Sequence, residues 1–261
     1  MNIIFYKYQG TGNDFVILDN RDKKYNGLTT EQVNFLCNRK FGIGADGLMM
    51  LNQHEDYDFE MMYYNADGKE GSMCGNGGRC LVRFAYDMDI KRNAYSFIAS
   101  DGPHEAEIET SRKVRLRMTD VLSVEDNGDH YILNTGSPHY IKYVPDIKAV
   151  NVKLEGSKIR YSKAFNKDGI NVNFVEEIDD HTIFVRTYER GVEDETLSCG
   201  TGVTAAALVS AHNDDSFNEV DVQTLGGNLT VEFNAAERKT FTNIWLCGPA
   251  DFVFKGEINL K

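Results

Sequence analysis

The 261 residues suffice for two modest domains or one large one, and 41% hydrophobic with 26% charged residues is the make-up of a globular chain with a core. A net charge of −12 repels nucleic acid and anionic membranes, although it leaves room for a local basic pocket around a small anion. The opening "MNIIFYKYQG" lacks the basic start and apolar run of a signal peptide, and no stretch approaches the roughly 18 apolar residues of a spanning helix, so a cytoplasmic setting with reduced thiols is expected.

Strand patterns dominate the chain. "NIIFYKYQ" opens with period-two alternation of β-branched and aromatic residues. "TTEQVNFLCNRKFG" follows as a helix: Thr29 and Gln32 are spaced as a capping box, Val33, Leu36 and Cys37 share a face, and Gly42 is the expected stop. "DFEMMYYN" is a strand, and after "SMCGNGGRC" a second helix buries Leu81, Val82, Phe84, Ala85 and Met88. "KVRLRMTD", "HYILNTG" and "TIFVRTYER" are strands, and "LSCGTGVTA" opens a third helix with Val203, Ala206, Ala207, Leu208 and Val209 buried. "VDVQTLGGNLTVEF" predicts a hairpin around Gly226-Gly227, and "NIWLCG" a further strand.

Each half therefore runs through several strands to a turn and one largely apolar helix. A helix as apolar as "TAAALVSA" must be wrapped on all sides. The expected fold is α/β of the α+β kind, with two pseudo-symmetric domains, each a curved, mostly antiparallel sheet wrapped around a central helix. The order of features is repeated: "YYNADGKEGSMCGNGGRCLVRFA" and "TYERGVEDETLSCGTGVTAAALV" share strand, acidic loop, cysteine, Gly-x-Gly and apolar helix. Symmetry puts the boundary near Lys113, giving residues 1–113 with Cys74 and 114–249 with Cys199. Two such halves facing each other would bring both cysteine turns to one cleft.

Five cysteines (Cys37, Cys74, Cys80, Cys199, Cys247) without a CxxC pair argue against a disulfide framework and a structural zinc site. Cys37, Cys80 and Cys247 fall within helix or strand patterns and are expected as small buried hydrophobes. Cys74 and Cys199 are different, since each precedes a Gly-x-Gly helix start. Unpaired backbone N–H groups there bind an anion, and a thiolate is favoured there. Two thiols without a metal or cofactor motif point to acid–base chemistry at one carbon, in which a thiolate takes a proton from one face and a thiol returns one to the other. Held at the helix starts, an α-carboxylate stabilises the developing negative charge. The reaction class is a cofactor-independent amino-acid racemase or epimerase, with no metal.

On "GTGNDF" (Gly10 to Phe15), "FGIGADGL" (Phe41 to Leu48), "YNADGKEGSMCGNGGRC", "GSPH" (Gly136 to His139), "INVNF" (Ile170 to Phe174) and "YERGVEDETLSCGTG", the chain resembles the diaminopimelate epimerase family over essentially its full length. The resemblance implies conversion of LL- to meso-diaminopimelate for lysine and cell-wall synthesis, no cofactor, a homodimer, and a last strand, within 250–261, that returns to the first domain. It also implies Cys74 and Cys199 as the acid/base pair, with Gly75 and Asn76, and Gly200 and Thr201, donating backbone N–H groups to the reacting carboxylate. Asn13, Asn65, Asn171 and Arg190 become substrate ligands, Glu189 accepts from an ammonium, and His139 sits near the reacting centre. Three departures stand out: Gly47 where many members carry glutamine, Ser137 where many carry asparagine, and "GVEDET" for a shorter, less acidic loop.

Three other readings compete. A proline or hydroxyproline racemase would keep both cysteines but has no use for Arg190 and several amides. A non-catalytic anion-binding module leaves both cysteines unexplained, and no lysine follows either turn as in a P-loop. A thiol–disulfide oxidoreductase would carry CxxC.

Overall fold

The computed structural model describes residues 1–71, 73–109, 113–237 and 239–260, so Ser72, at the head of "SMCGNGGRC", lies outside the described residues. The chain divides into two units, Met1–Leu116 with Gly248–Lys261, and Arg117–Cys247. The first boundary falls after Leu116 rather than after residue 113, because Leu116 and Val114 stay paired with Ala106 and Ile108 of the preceding strand. The second falls after Cys247 rather than after residue 249.

The first unit comprises β1 (Asn2–Gly10), β2 (Asn13–Asp19), α1 (Thr30–Cys37), β3 (Gly47–Asn52), β4 (Phe59–Asn65), α2 (Gly75–Asp87), β5 (Ala94–Ala99), β6 (Gly102–Ile108) and β7 (Lys113–Arg117). In the second lie β8 (Glu125–Asp126), β9 (Tyr131–Asn134), β10 (Pro138–Tyr143), α3 (Val152–Arg160), β11 (Asn171–Asp179), β12 (Thr182–Glu189), β13 (Asp194–Thr196), α4 (Gly200–Val209), β14 (Phe217–Thr224), β15 (Gly227–Ala236) and β16 (Thr240–Pro249). The last strand, β17 (Asp251–Asn259), pairs antiparallel with β1.

Strand pairing repeats from unit to unit. In the first, the order β17-β1-β2-β3-β4-β5-β6-β7 is antiparallel except at β2–β3 and β4–β5. In the second, β8-β9-β10-β11-β12-β14-β15-β16 is antiparallel except at β10–β11 and β12–β14, the same positions in the series. Helices interrupt both series at matching places, α1 and α3 between the third and fourth strands, α2 and α4 between the fifth and sixth.

At β3 both faces of the sheet are covered, and "GLMMLN" is buried at every position, whereas β5 and β14 alternate buried and exposed residues. Alternation sends Leu48 and Met50 to the cluster formed with Val33, Leu36 and Cys37 of α1. Gly47, Met49 and Leu51 face the other way, toward α2. In the second unit Val172 and Phe174 join Val152 in one cluster, while Asn171, Asn173 and Val175 take the α4 side. Val203 and Ala205 to Leu208 of α4 are wholly buried.

Three local expectations need correction. The capping box on Thr29 and Gln32 forms, but α1 ends at Asn38, and Gly42 merely closes the next turn by donating its N–H to Asn38 O. The hairpin loop is Leu225-Gly226, one residue earlier than expected; Gly227, at φ 139°, already pairs with Thr224. Helix α3 was not expected at all. It is short and polar with Gly156 in its middle, and its stability comes from packing and from Asn151, whose side chain accepts from Leu154 N.

Gly156 is buried against β12: a Cβ there would lie 2.7 Å from Tyr188 Cγ, and the Tyr188 hydroxyl is tied to Glu193 at 3.0 Å. On an exposed helix face Gly→Ala gains about 1 kcal/mol. Here Gly156→Ala is expected to destabilise by about 1–3 kcal/mol through overpacking. Urea unfolding decides the sign, and a raised midpoint would show that Tyr188 moves aside freely.

Candidate active site

Cys74 and Cys199 are the N-caps of α2 and α4, both with extended backbone (φ −101°, ψ 128° and φ −112°, ψ 110°), and neither side chain caps its own helix. Each carbonyl accepts the first intrahelical bond, from Gly78 N at 2.7 Å and Val203 N at 2.8 Å. The first-turn N–H groups thus carry the positive end of the helix dipole, with the sulfur beside them. Cys199 is buried and Cys74 half-buried.

In the first unit the β1–β2 turn delivers Asn13 to the start of α2. Asn13 Oδ1 lies 3.6 Å from Cys74 Sγ and 3.3 Å from Asn76 Nδ2, while Asn13 Nδ2 donates to Asp46 Oδ2 at 2.7 Å. Behind it stands a network of charges. Lys7 pairs with Asp14 at 2.7 Å and also donates to Gly44 O, and Arg39 binds Asp14 and Asp46, each at 2.6 Å. Burial alone would raise the Asp14 carboxyl, but hydrogen bonds from Arg39 and Lys7 outweigh it and hold it at about 2. Arg79, fully buried on α2, donates to Asn76 Oδ1 at 3.0 Å.

Asn65, exposed at the end of β4, pairs with Gly47 of β3 and takes its N–H to Lys69 O; Asp67 shapes this turn by accepting from Lys69 N. A side chain at Gly47 would collide with Tyr63, its Cβ falling 2.5 Å from the ring and 2.9 Å from the hydroxyl. The aromatic ring therefore fills the space opened by the missing side chain.

The second unit gathers a different set. The backbone N–H of Arg190 donates to Asn171 Oδ1 at 2.8 Å, and its guanidinium reaches Asp168 O at 2.9 Å and Ser137 Oγ at 3.5 Å. Gly169 permits this, since a Cβ there would meet Arg190 Cδ at 2.5 Å. Glu189, half-buried, ends β12 beside Arg190. Thr201 follows Gly200 on α4, with its hydroxyl 3.5 Å from Cys199 Sγ and its carbonyl accepting from Thr135 Oγ1 at 2.9 Å. His139 is wholly buried, and Asn173 Nδ2 donates to its Nδ1 at 3.1 Å; Thr187 fixes that amide by donating to Asn173 Oδ1 at 2.8 Å. With Nδ1 accepting, the proton sits on Nε2, which has no partner among the described residues. Burial, then the charge of Arg190, push His139 down to about 3, so it is neutral.

The acidic loop before Cys199 is occupied with structure. Glu193 accepts from Gly191 N and Tyr188 Oη, Asp194 pairs with Lys153, and Glu195 forks with Arg186 at 2.6 and 2.8 Å. Of the remaining cysteines, Cys37 is pushed by burial to about 12 and Cys80 higher still, as inert thiols should be. Sequence reasoning passed over Asp46, Arg79, Tyr63 and Asn173. The one signal available was their position inside the quoted motifs. Among the described residues no cluster of His, Cys, Asp or Glu could hold a metal ion, and no helix is long and apolar enough to cross a membrane.

The family model for diaminopimelate epimerase matches residues 5–124 and 131–253. The chain is 48% identical to the diaminopimelate epimerase of Flavobacterium psychrophilum, covering 97% of this chain and 99% of that one. Identity to the protein of that name in Chlorobaculum tepidum is 44%, over 96% and 99%. Among solved structures, a Bacillus anthracis phenazine biosynthesis protein of the PhzF family superposes with a TM-score of 0.77 at 16% identity over the full length of both chains. A hydroxyproline epimerase from Agrobacterium vitis gives 0.70 at 13%, over 98% and 92%. At such identities these two show a shared fold.

Folded His139 titrates near 3 against an ordinary 6.5, so on acidification protons bind the unfolded chain first. Its contribution to stability is complete above about 6.5 and fades toward 3. The unfolding free energy should therefore fall less between about pH 7 and about pH 4.5 in His139→Gln than in the parent. Equal losses in both would place the imidazole in contact with water.

Proposed function

Because the chain belongs to the diaminopimelate epimerase family, we propose that it interconverts LL- and meso-diaminopimelate without a cofactor, with Cys74 and Cys199 as its acid/base pair. The observation that carries this is the twice-built helix start with a cysteine at its cap. An α-proton is too weakly acidic for a thiolate to remove unaided. The N–H groups of Gly75 and Asn76, and of Gly200 and Thr201, stabilise the carboxylate on which charge develops. One sulfur removes the proton, the other delivers one to the opposite face, and the configuration inverts. No redox change and no Lewis acid enter the sequence.

The substrate carries a second amino-acid head, and the second unit offers a grip for it: the Arg190 guanidinium with the Asn171 amide NH2 for carboxylate, and Glu189 for ammonium. Asn13 and Asn65 complete the substrate contacts in this reading, with His139 and Ser137 supporting. A proline or hydroxyproline racemase shares the fold but needs no such grip, and its likeness to this chain stops at low identity. Function in lysine and peptidoglycan synthesis, a cytoplasmic setting and a homodimer follow from the same reading.

Cys74→Ala and Cys199→Ala test the two-thiol route. Each should epimerise very poorly, yet keep slow α-hydrogen exchange with one stereoisomer, opposite in the two variants. Deuterium wash-in with LL- and meso-substrate, with proline as control, reads this by mass spectrometry. Near-normal epimerisation by either variant would sink the mechanism, and wash-in with proline alone would reassign the substrate.

Arg190→Lys keeps the charge but loses the planar fork. Misplacing the distal head misaligns the α-carbon, so kcat/KM should fall by about 10²-fold. A change within a few-fold would remove Arg190 from the substrate site.

A further inference from the structure

The two cysteine turns share a backbone frame but differ in electrostatic setting. In the first unit four side chains form a head-to-tail chain. Arg79 Nη2 donates to Asn76 Oδ1 at 3.0 Å, Asn76 Nδ2 to Asn13 Oδ1 at 3.3 Å, and Asn13 Nδ2 to Asp46 Oδ2 at 2.7 Å. It begins at a fully buried cation and ends at a carboxylate. Neither amide can turn end for end without setting N–H against the guanidinium or oxygen against Asp46, and hydrogen bonds so aligned polarise one another. Cys74 Sγ meets Asn13 Oδ1, the oxygen this chain fixes in place. A carbonyl oxygen accepts S–H and repels thiolate lone pairs.

The second unit lacks both charged ends. Five residues past the cysteine, Thr204 stands where Arg79 does, and its hydroxyl donates to Gly200 O at 2.9 Å. The parallel registers Phe15↔Gly47 and His139↔Asn171 set Ser137 in the place of Asn13 and buried Ile170 in that of Asp46. Cys199 faces the Thr201 hydroxyl, which can donate to a thiolate as readily as it accepts from a thiol.

We propose that Asp46 and Arg79 are positioning residues which lock the Asn13 carbonyl onto Cys74, holding that sulfur as the thiol in the free protein and leaving Cys199 to lose its proton first. The proposal rests on the reading of both cysteines as proton carriers. The charges around Cys74 in its own unit are Arg79 on α2, Lys7 on β1, Asp14 on β2, Arg39 after α1 and Asp46 before β3. Lys7 is paired with Asp14, and Arg39 with both aspartates. Arg79 by its charge favours thiolate, against the amide it orients, so the wild-type balance is itself a measurement.

The test is iodoacetamide alkylation of the reduced full-length protein without substrate, resolved cysteine by cysteine by mass spectrometry over a pH series. In the parent, Cys74 should become reactive at higher pH than Cys199. Asp46→Asn frees the amide to turn its NH2 onto the sulfur, so Cys74 should react at least about threefold faster near neutral pH, about half a pKa unit, while Cys199 and buried Cys80 stay as they were. Asn13→Ala removes the carbonyl and should also speed Cys74, and adding Asp46→Asn to it should then change nothing. An unchanged Cys74 in Asp46→Asn, or the same acceleration in the Asn13→Ala background, overturns the proposal, the latter by showing a bare field effect. Should Asp46→Asn expose Cys80 as well, through unfolding, Asn13→Ala alone decides, and no acceleration there is fatal. Because alkylation needs no turnover, shifted thiols in a protein that does not epimerise diaminopimelate would defeat the functional reading and spare this one.

Discussion

A helix buried on every side must have a bare first turn, and the rest of each unit is arranged around that requirement. At Gly77 a Cβ would come within 3.1 Å of Met49 Sδ, at Gly78 within 3.2 Å of Leu116, and at Gly202 it would overlap Asn173. Sheet side chains press against the helix start from several strands at once, so the glycines are a packing condition before they are a chemical one. The chemistry comes with the packing. A turn stripped of side chains presents its N–H groups, and the residue that caps it stands at the positive end of the dipole. Cysteine at that cap lies in a field that favours its ionised form, whatever else surrounds it.

Duplication supplied two such starts, and divergence then made them unequal. Pairing order, parallel steps and helix positions are retained between the units, but the residues around each cap are not. The first unit sets amides anchored to charges against its cap, the second a hydroxyl. The acidic stretch before Cys199 has likewise become scaffolding, with each carboxylate from Glu193 to Glu195 held by a named partner. At Gly47 the space a side chain would need is taken by the Tyr63 ring lying over it.

What the sequence disclosed were features whose cause is local. The Cys-Gly-x-Gly starts, the capping box of α1 and the alternation of β1 or β12 depend on residues a few positions apart, and they form as expected. Helix α3 was hidden because its sequence argues against it, with Gly156 inside and few apolar residues; tertiary contact with Tyr188 overrides the propensity. Asp46 and Arg79 were hidden for another reason. Their partners lie on other elements, Asn13 being 33 positions from Asp46, and no periodicity records which amide edge a carboxylate will face. Asn171 was legible by motif, while Asn173, two residues on, which fixes the imidazole, could not be told from any strand asparagine.

Met1 and Leu260, far apart in sequence, meet in the first unit. Met1 donates its amino group to Leu260 O at 2.7 Å, Leu260 N returns a bond to Met1 O at 2.9 Å, and Leu260 packs with Ile3 in one core cluster. The first unit is therefore discontinuous, whereas Arg117–Cys247 is a single uninterrupted segment. During synthesis on the ribosome the second unit is made before β17, so the β1 edge that β17 will cover stays open until that strand has followed. An unpaired strand edge recruits other chains, so the half made first is the half exposed longest, and the aggregation risk of this protein lies in its N-terminal strand.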